Sequence, residues 1–215
     1  MLRTDRDAVL CFLWMLTYTL VLIGTERYKY PLISPITQIL IASLEFSVVF
    51  QLILDGGIGW NHIWISYLYW ALIEAAIIGV QIKRGFIPKH HVGGYLFLLA
   101  TATMIMCYLV AYKGHGFFLS YFNTFVGEII WLVHIRKKDY PMKPIALLLF
   151  STKFAADAIG ISIYFGRGSW MTDLISVLLP VLDFMFIHIY CLRAAGDNQS
   201  NHKQNKTNKE GKQLK

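Results

Sequence analysis

The sequence predicts an all-α membrane protein, a seven-transmembrane-helix bundle of up-down topology. Three observations predict it. Only 15% of the 215 residues are charged and 56% are hydrophobic, whereas a soluble domain carries nearer a quarter charged residues. Seven apolar stretches of roughly 15–22 residues follow one another along the chain, each about the length that crosses a ~30 Å hydrocarbon core. The connections between them are short, which favours antiparallel neighbours. Backbone polar groups in lipid must be bonded within the segment, so the stretches are helices rather than strands.

The first stretch, about 9–24, is the shortest. It could pass for a signal peptide, yet no small-x-small cleavage site follows it, and Glu26 to Pro31 read as an interfacial loop. The second, about 34–54, has Pro35 in its first turn, where a missing N–H is harmless. Asp55 to Asn61 connect it to the third, about 63–82. Lys83 to Val92 lead to the fourth, about 93–112, and Lys113 to Gly116 to the fifth, about 117–135. Arg136 to Lys143 precede the sixth, about 144–165, which again opens on a proline, Pro144. Gly166 to Trp170 lead to the seventh, about 171–192. Pro180 lies mid-span there and is expected to loosen the backbone near Ser176 and kink the helix beside Asp183. Residues 1–194 thus read as one transmembrane domain. The Asn/Gln/Lys-rich segment 195–215 reads as a disordered, solubilising tail.

Charge sets the expected orientation. With seven spans the connections alternate sides. One side holds four basic residues (Arg3, Arg6, Lys113, Arg167) and the other fifteen, with Lys153 inside a span. The positive-inside rule then places the N-terminus outside and the C-terminus in the cytoplasm. The net charge of +7 is explained by topology, and no nucleic-acid partner is expected. Cys11, Cys107 and Cys191 lie in separate spans without CxxC spacing and read as packing residues, with no disulfide framework and no metal site.

Five acids stand near the middle of apolar spans: Glu45, Glu74, Glu128, Asp157 and Asp183. A charge at that depth costs about 2.5–3.5 kcal/mol on insertion scales, so the set implies a polar chamber inside the bundle. Helical spacing places aromatics beside the acids. Tyr67, Trp70, Glu74 and Gln81 share a face of the third span. Tyr121, Thr124, Glu128 and Trp131 share one on the fifth. Asp173, Ser176, Pro180, Asp183 and Tyr190 share one on the seventh. On the second span Gln38 and Glu45 lie on one face, with Phe46 and Phe50 beside it.

Desolvation disfavours a carboxylate anion, and a carboxylic acid kept protonated near neutral pH can donate a proton. Two neighbouring carboxyls can divide the work of donor and assistant. Aromatic faces stabilise cations by about 0.5–2 kcal/mol each. These parts suit protonation of a lipophilic molecule and guidance of the resulting carbocation. Bland readings stand beside this one. Lys153 and Asp157, at i and i+4, are placed to neutralise each other. Glu128, near His134 and Arg136, reads equally as a helix tether. Asp173, near the outer interface, reads as solvated or as a helix cap. The chain has no DDxxD-type run, HExxH, GxSxG or Gly-rich phosphate loop.

Ser43-Leu44-Glu45-Phe46, Trp70-Ala71-Leu72-Ile73-Glu74, Leu182-Asp183-Phe184-Met185-Phe186, Asn123 with Arg136-Lys137, and Lys153 occur in order along about 35–193. In these segments the chain resembles the small seven-helix integral-membrane terpene cyclases of fungal meroterpenoid and indole-diterpene pathways and their bacterial relatives. The chain departs from that pattern at Ile41, Leu44 and Glu74, where the family tends to carry Asn, Trp and Asp. The resemblance implies acid-initiated cyclisation of a prenylated, often epoxidised acceptor, with no cofactor. It implies multi-pass residence in the plasma membrane of a bacterium or the endoplasmic reticulum of a fungus. On this reading Glu45 and Asp183 form the proton-donating pair and Glu74 orients or reloads it. Phe46, Tyr67, Trp70 and Phe184 line the cation path; Glu128 and Trp131, which the fifth-span stripe offers rather than the resemblance, complete the substrate-facing set. The expected partners are a lipophilic prenylated substrate and membrane lipid. The alternative is a small proton-coupled carrier or lipophile-binding protein that uses the same acids as a relay; two-sided access to the chamber would mark it. A third reading is a sensor or accessory subunit whose acids hold helices together.

Overall fold

A computed structural model describes residues 3–54, 62–113, 116–137, 140, 143–166 and 169–213. It is all-helical, with no strand among the described residues. The α-helices are α1 (Arg3–Arg27), α2 (Pro35–Leu54), α3 (His62–Lys83), α4 (Val92–Lys113), α5 (Gly116–Ile135), α6 (Pro144–Tyr164) and α7 (Trp170–Gln213), with a 3₁₀ turn at Lys89–His91. Six of them are long and apolar enough to cross a membrane. Pro35 and Pro144 open α2 and α6 as expected, because proline has the φ of a first helical turn and no N–H to satisfy there. α7 remains one helix through Pro180. It continues as backbone into the tail, whose side chains from 196 on lie outside the described residues. The expected turn at Asp55–Asn61 also lies outside them.

Six helices close a ring in the order α1, α3, α2, α5, α7, α6, and α4 packs outside it against α2, with a lighter contact to α5. The peripheral place of α4 follows from its surface. It exposes Leu96, Phe97, Leu98, Met104 and Ile105, and its buried members Tyr95 and Leu99 face one apolar cluster with Ala42 and Ile78. Short connections do not make every sequential pair neighbours. α1 packs on α3 and α6 rather than mainly on α2, because the link between α1 and α2 runs across the end of the bundle.

That link forms a plug. Pro31, Leu32 and Ile33 are buried although they belong to no helix. A buried loop carries carbonyls that need donors, and side chains from four other parts of the chain supply them. Trp131 Nε1 donates to the Leu32 carbonyl at 2.6 Å and Tyr140 Oη to the same oxygen at 3.0 Å. Gln81 Nε2 donates to Ile33 O at 3.2 Å, Tyr95 Oη to Pro35 O at 3.2 Å, and a His134 ring nitrogen lies 3.0 Å from Pro31 O. Gly24 makes room for it: a Cβ there would run into the Leu32 side chain. These bonds bring the ends of α1, α3 and α5 and the starts of α2 and α4 to one level, the alternation of an up-down bundle. Arg193 joins the same end, donating to the carbonyl of Ile135, the last residue of α5, and to those of Arg136 and Lys137 just after it. The main core lies just inside the plug, where Trp131, Phe150 and Phe186 pack with ring centroids 5.2–5.5 Å apart.

Trp131→Phe keeps most of this packing and strands the Leu32 carbonyl with one donor. A loss of about 1–3 kcal/mol is expected, read as an earlier unfolding midpoint in mixed micelles. Tyr140→Phe should cost a similar amount. Midpoints equal to wild type in both variants would mean that the plug does not depend on these donors.

Candidate functional site

The buried acids fall into two sets on opposite walls of one cavity. The first set is built by α1, α2 and α3. Glu45 accepts a hydrogen bond from Tyr18 Oη at 3.2 Å, and Glu74 lies within electrostatic reach of Glu45. Glu74 is 1% exposed and neither of its carboxyl oxygens has a hydrogen-bond partner among the described residues; the same holds for Glu45 Oε2 and Trp70 Nε1. Tyr18 stands between Trp14 and Trp70, and Tyr67 meets Trp70 edge-on at 4.9 Å.

The second set is centred on Lys153 of α6. Its ammonium donates to Glu128 of α5, to Asp157 at 2.7 Å and to Asp183 of α7 at 3.0 Å. An ammonium has three N–H donors, and each finds one carboxylate. Trp14 contributes its ring face, 5.5 Å from Nζ. One carboxyl oxygen from each of Glu128, Asp157 and Asp183 lies within 4.8 Å of the other two, close enough to share a metal ion. Lys153 already supplies the positive charge among them, and a divalent ion could enter only if the lysine left. One ammonium balances one carboxylate. The other two charges must be met by protons or a further cation, because unpaired charge is expensive at this depth.

Between the two sets lies a cavity of about 410 Å³, within the roughly 300–1,000 Å³ range of small-molecule sites. Its wall carries one carboxyl from each set, Glu45 and Asp157, and five aromatic residues, Trp14, Tyr18, Tyr67, Trp70 and Tyr121. The other lining residues come from the first half of α1, including a third carboxyl at Asp7, from the middle of α2 (Ile41 to Val48), the first half of α5, the second half of α6 and Leu179 of α7. The cavity therefore occupies the half of the bundle opposite the plug.

The expected site residues divide accordingly. Glu45, Tyr67 and Trp70 reach the cavity. Glu74 sits behind Glu45. Asp183 is fully buried at Lys153, and it meets the cavity only through Lys153 and Asp157. Glu128 takes the tethering position, bonded to Lys153. Trp131 packs in the core and bonds the plug. Phe46 packs against the α2–α4 cluster, and Phe184 points outward, 62% exposed. Asp173 ties the connection before α7, its Oδ1 accepting from the Gly166 N–H at 2.9 Å.

Sequence reasoning assigned nothing to α1, which supplies Trp14 and Tyr18. Cys11, Trp14 and Tyr18 stand at i, i+3 and i+7, the stripe rule applied to α3, so periodicity could have found them. Asn123 donates to the Leu40 carbonyl, tying α5 to α2 beside the cavity. No family model, curated protein or solved structure matches this chain.

Proposed function

We propose that this chain is an intramembrane terpene cyclase that protonates a prenyl alkene or epoxide and guides the carbocation to a cyclised product. The observation that carries this reading is the aromatic-walled cavity with Glu45 and Asp157 on facing sides. Tyr18 orients Glu45, so the proton of the Glu45 carboxyl can point into the cavity. Positive charge developing on the substrate meets the π faces of Trp14, Tyr18, Tyr67, Trp70 and Tyr121, which attract cations without adding to them as a nucleophile would. The Lys153 set holds Asp157 in place, so that a second carboxyl stands on the opposite wall. Asp183 acts here by positioning Lys153 and Asp157 rather than by touching substrate. No step calls on a metal or nucleotide.

The plug favours this reading over a carrier. Alternating access needs a path from both ends of the bundle to one site, and buried Pro31–Ile33 with their side-chain donors occupy one end.

Membranes containing the full chain should convert a prenylated or epoxy-prenylated aromatic into a cyclised isomer of equal mass. Absence of any such product across a broad acceptor panel, with proton-driven uptake of a lipophile instead, would replace the cyclase by the carrier.

The fifteen-to-four division of basic residues supports a seven-span arrangement with the N-terminus outside and the plugged end in the cytoplasm. Reporter fusions at Gly57 and Lys138 should then report opposite sides. Signals from the same side would overturn the count.

A further inference from the structure

The wall behind Glu45 contains a second polar feature that the cavity does not use. On α2, Gln38 precedes Glu45 by seven residues; on α3, Gln81 follows Glu74 by seven. Seven residues are two helical turns, about 10.5 Å of axis, on nearly one face. The two helices pack together and run in opposite directions, since Gln81 reaches back to Ile33 at the entrance to α2. The register that brings Glu74 to Glu45 therefore brings Gln81 to the level of Gln38. Ala42 and Ile78 pack in one cluster between those levels. α2 and α3 thus present two polar rungs to each other, a carboxyl pair at the cavity and an amide pair at the plug.

Both glutamines are fully buried. Gln38 Nε2 and Oε1, Gln81 Oε1, Glu74 Oε1 and Oε2, and Glu45 Oε2 are buried and have no hydrogen-bond partner among the described residues. Buried amide and carboxyl atoms left in this state are costly and rare, and proteins answer such clusters with internal water, each molecule making about three hydrogen bonds. Six such atoms in two rungs match two or three molecules. The lower rung lies near the surface: Gln81 is three residues, about 4.5 Å of axis, from exposed Arg84, which donates to Tyr28 O.

We propose that the facing sides of α2 and α3 bind a short chain of internal water molecules from Gln38 and Gln81 to Glu74 and Glu45, and that this chain returns protons to the cavity acid from the plugged end. Binding of the water stands on the two rungs alone. Its use in turnover rests on the cyclase reading. There the proton placed on the substrate is matched by one lost from the final cation, so the reaction consumes none and the chain only restores the donor.

Radiolytic footprinting in ¹⁸O-labelled water, on the full chain in lipid nanodiscs, tests it without substrate. Water held between the rungs should label Ile77 or Ile78, whose side chains are buried and lie between the two levels. Gln38→Leu should reduce that labelling about tenfold or more while leaving the Gln81 bond to the plug intact. Gln38→Leu with Gln81→Leu should abolish it. Unlabelled Ile77 and Ile78 in the wild-type protein, or labelling that survives in the folded Gln38→Leu variant, would overturn the proposal. If no cyclised product is ever found but the glutamine-dependent labelling is, the water chain stands and the cyclase falls.

Discussion

Glu45→Gln should reduce formation of a cyclised product by about 10²-fold or more, the loss expected when a general acid is removed. The amide keeps the shape and still accepts the Tyr18 hydrogen bond, but it has no transferable proton. Folding should survive, because an amide is cheaper to bury than a carboxylate. Asp183→Asn provides the contrast. Asp183 bonds Lys153 and does not line the cavity, so its loss should be clearly smaller than that of Glu45→Gln, and Asp157→Asn should fall on the Glu45 side of the divide. The measurement is product formed per unit of folded protein in membranes carrying each variant. Full activity of Glu45→Gln would end the case for proton donation by this residue. An Asp183→Asn defect as large as that of Glu45→Gln would return Asp183 to the substrate.

Lys153→Met should be the most damaging single change to stability. It removes the one ammonium that Glu128, Asp157 and Asp183 share and leaves three acids in a dry interior. Breaking a buried ion pair by deleting one partner costs about 3–5 kcal/mol. Neutralising the acids with the lysine, as Glu128→Gln, Asp157→Asn and Asp183→Asn together with Lys153→Met, should recover most of that loss, because the charge imbalance disappears. Unfolding midpoints in mixed micelles read both. A Lys153→Met protein as stable as wild type would show that the three carboxyls do not need the lysine's charge.

The helices were legible because their lengths are set by the bilayer and not by tertiary contacts. Pro35 and Pro144 mark two starts to the residue. The existence of a polar interior was legible for the same reason, since an acid in mid-span has few places to go. The partnership among the acids was harder to read. Lys153 and Asp157 are one helical turn apart, so their pairing could be seen in one segment. The bonds from Lys153 to Glu128 and Asp183 depend on which helices adjoin α6, and that ring order follows from packing. Phe184 beside Asp183 in sequence is rotated about 100° from it on the helix, which sends its ring outward while the carboxyl turns in. The plug left the faintest trace. Pro31 to Ile33 look like any interfacial turn, and their burial rests on donors supplied by Gln81, Trp131 and Tyr140 much later in the chain.

Those donors give the plug a place in time. Trp131 and Tyr140 lie 99 and 108 residues beyond the Leu32 carbonyl they bond. When α1 and α2 enter the bilayer, the groups that will satisfy the link between them have not yet been synthesised, and the headgroup region or a chaperone must hydrate it meanwhile. Closure of the bundle end then waits for α5 and the segment at Tyr140, and contacts of such long sequence separation form slowly. The plug is therefore the natural final step of assembly. A chain arrested before α5 emerges should show normal insertion of its first helices and a protease-sensitive link at residues 28–34, which becomes protected only when the later helices dock.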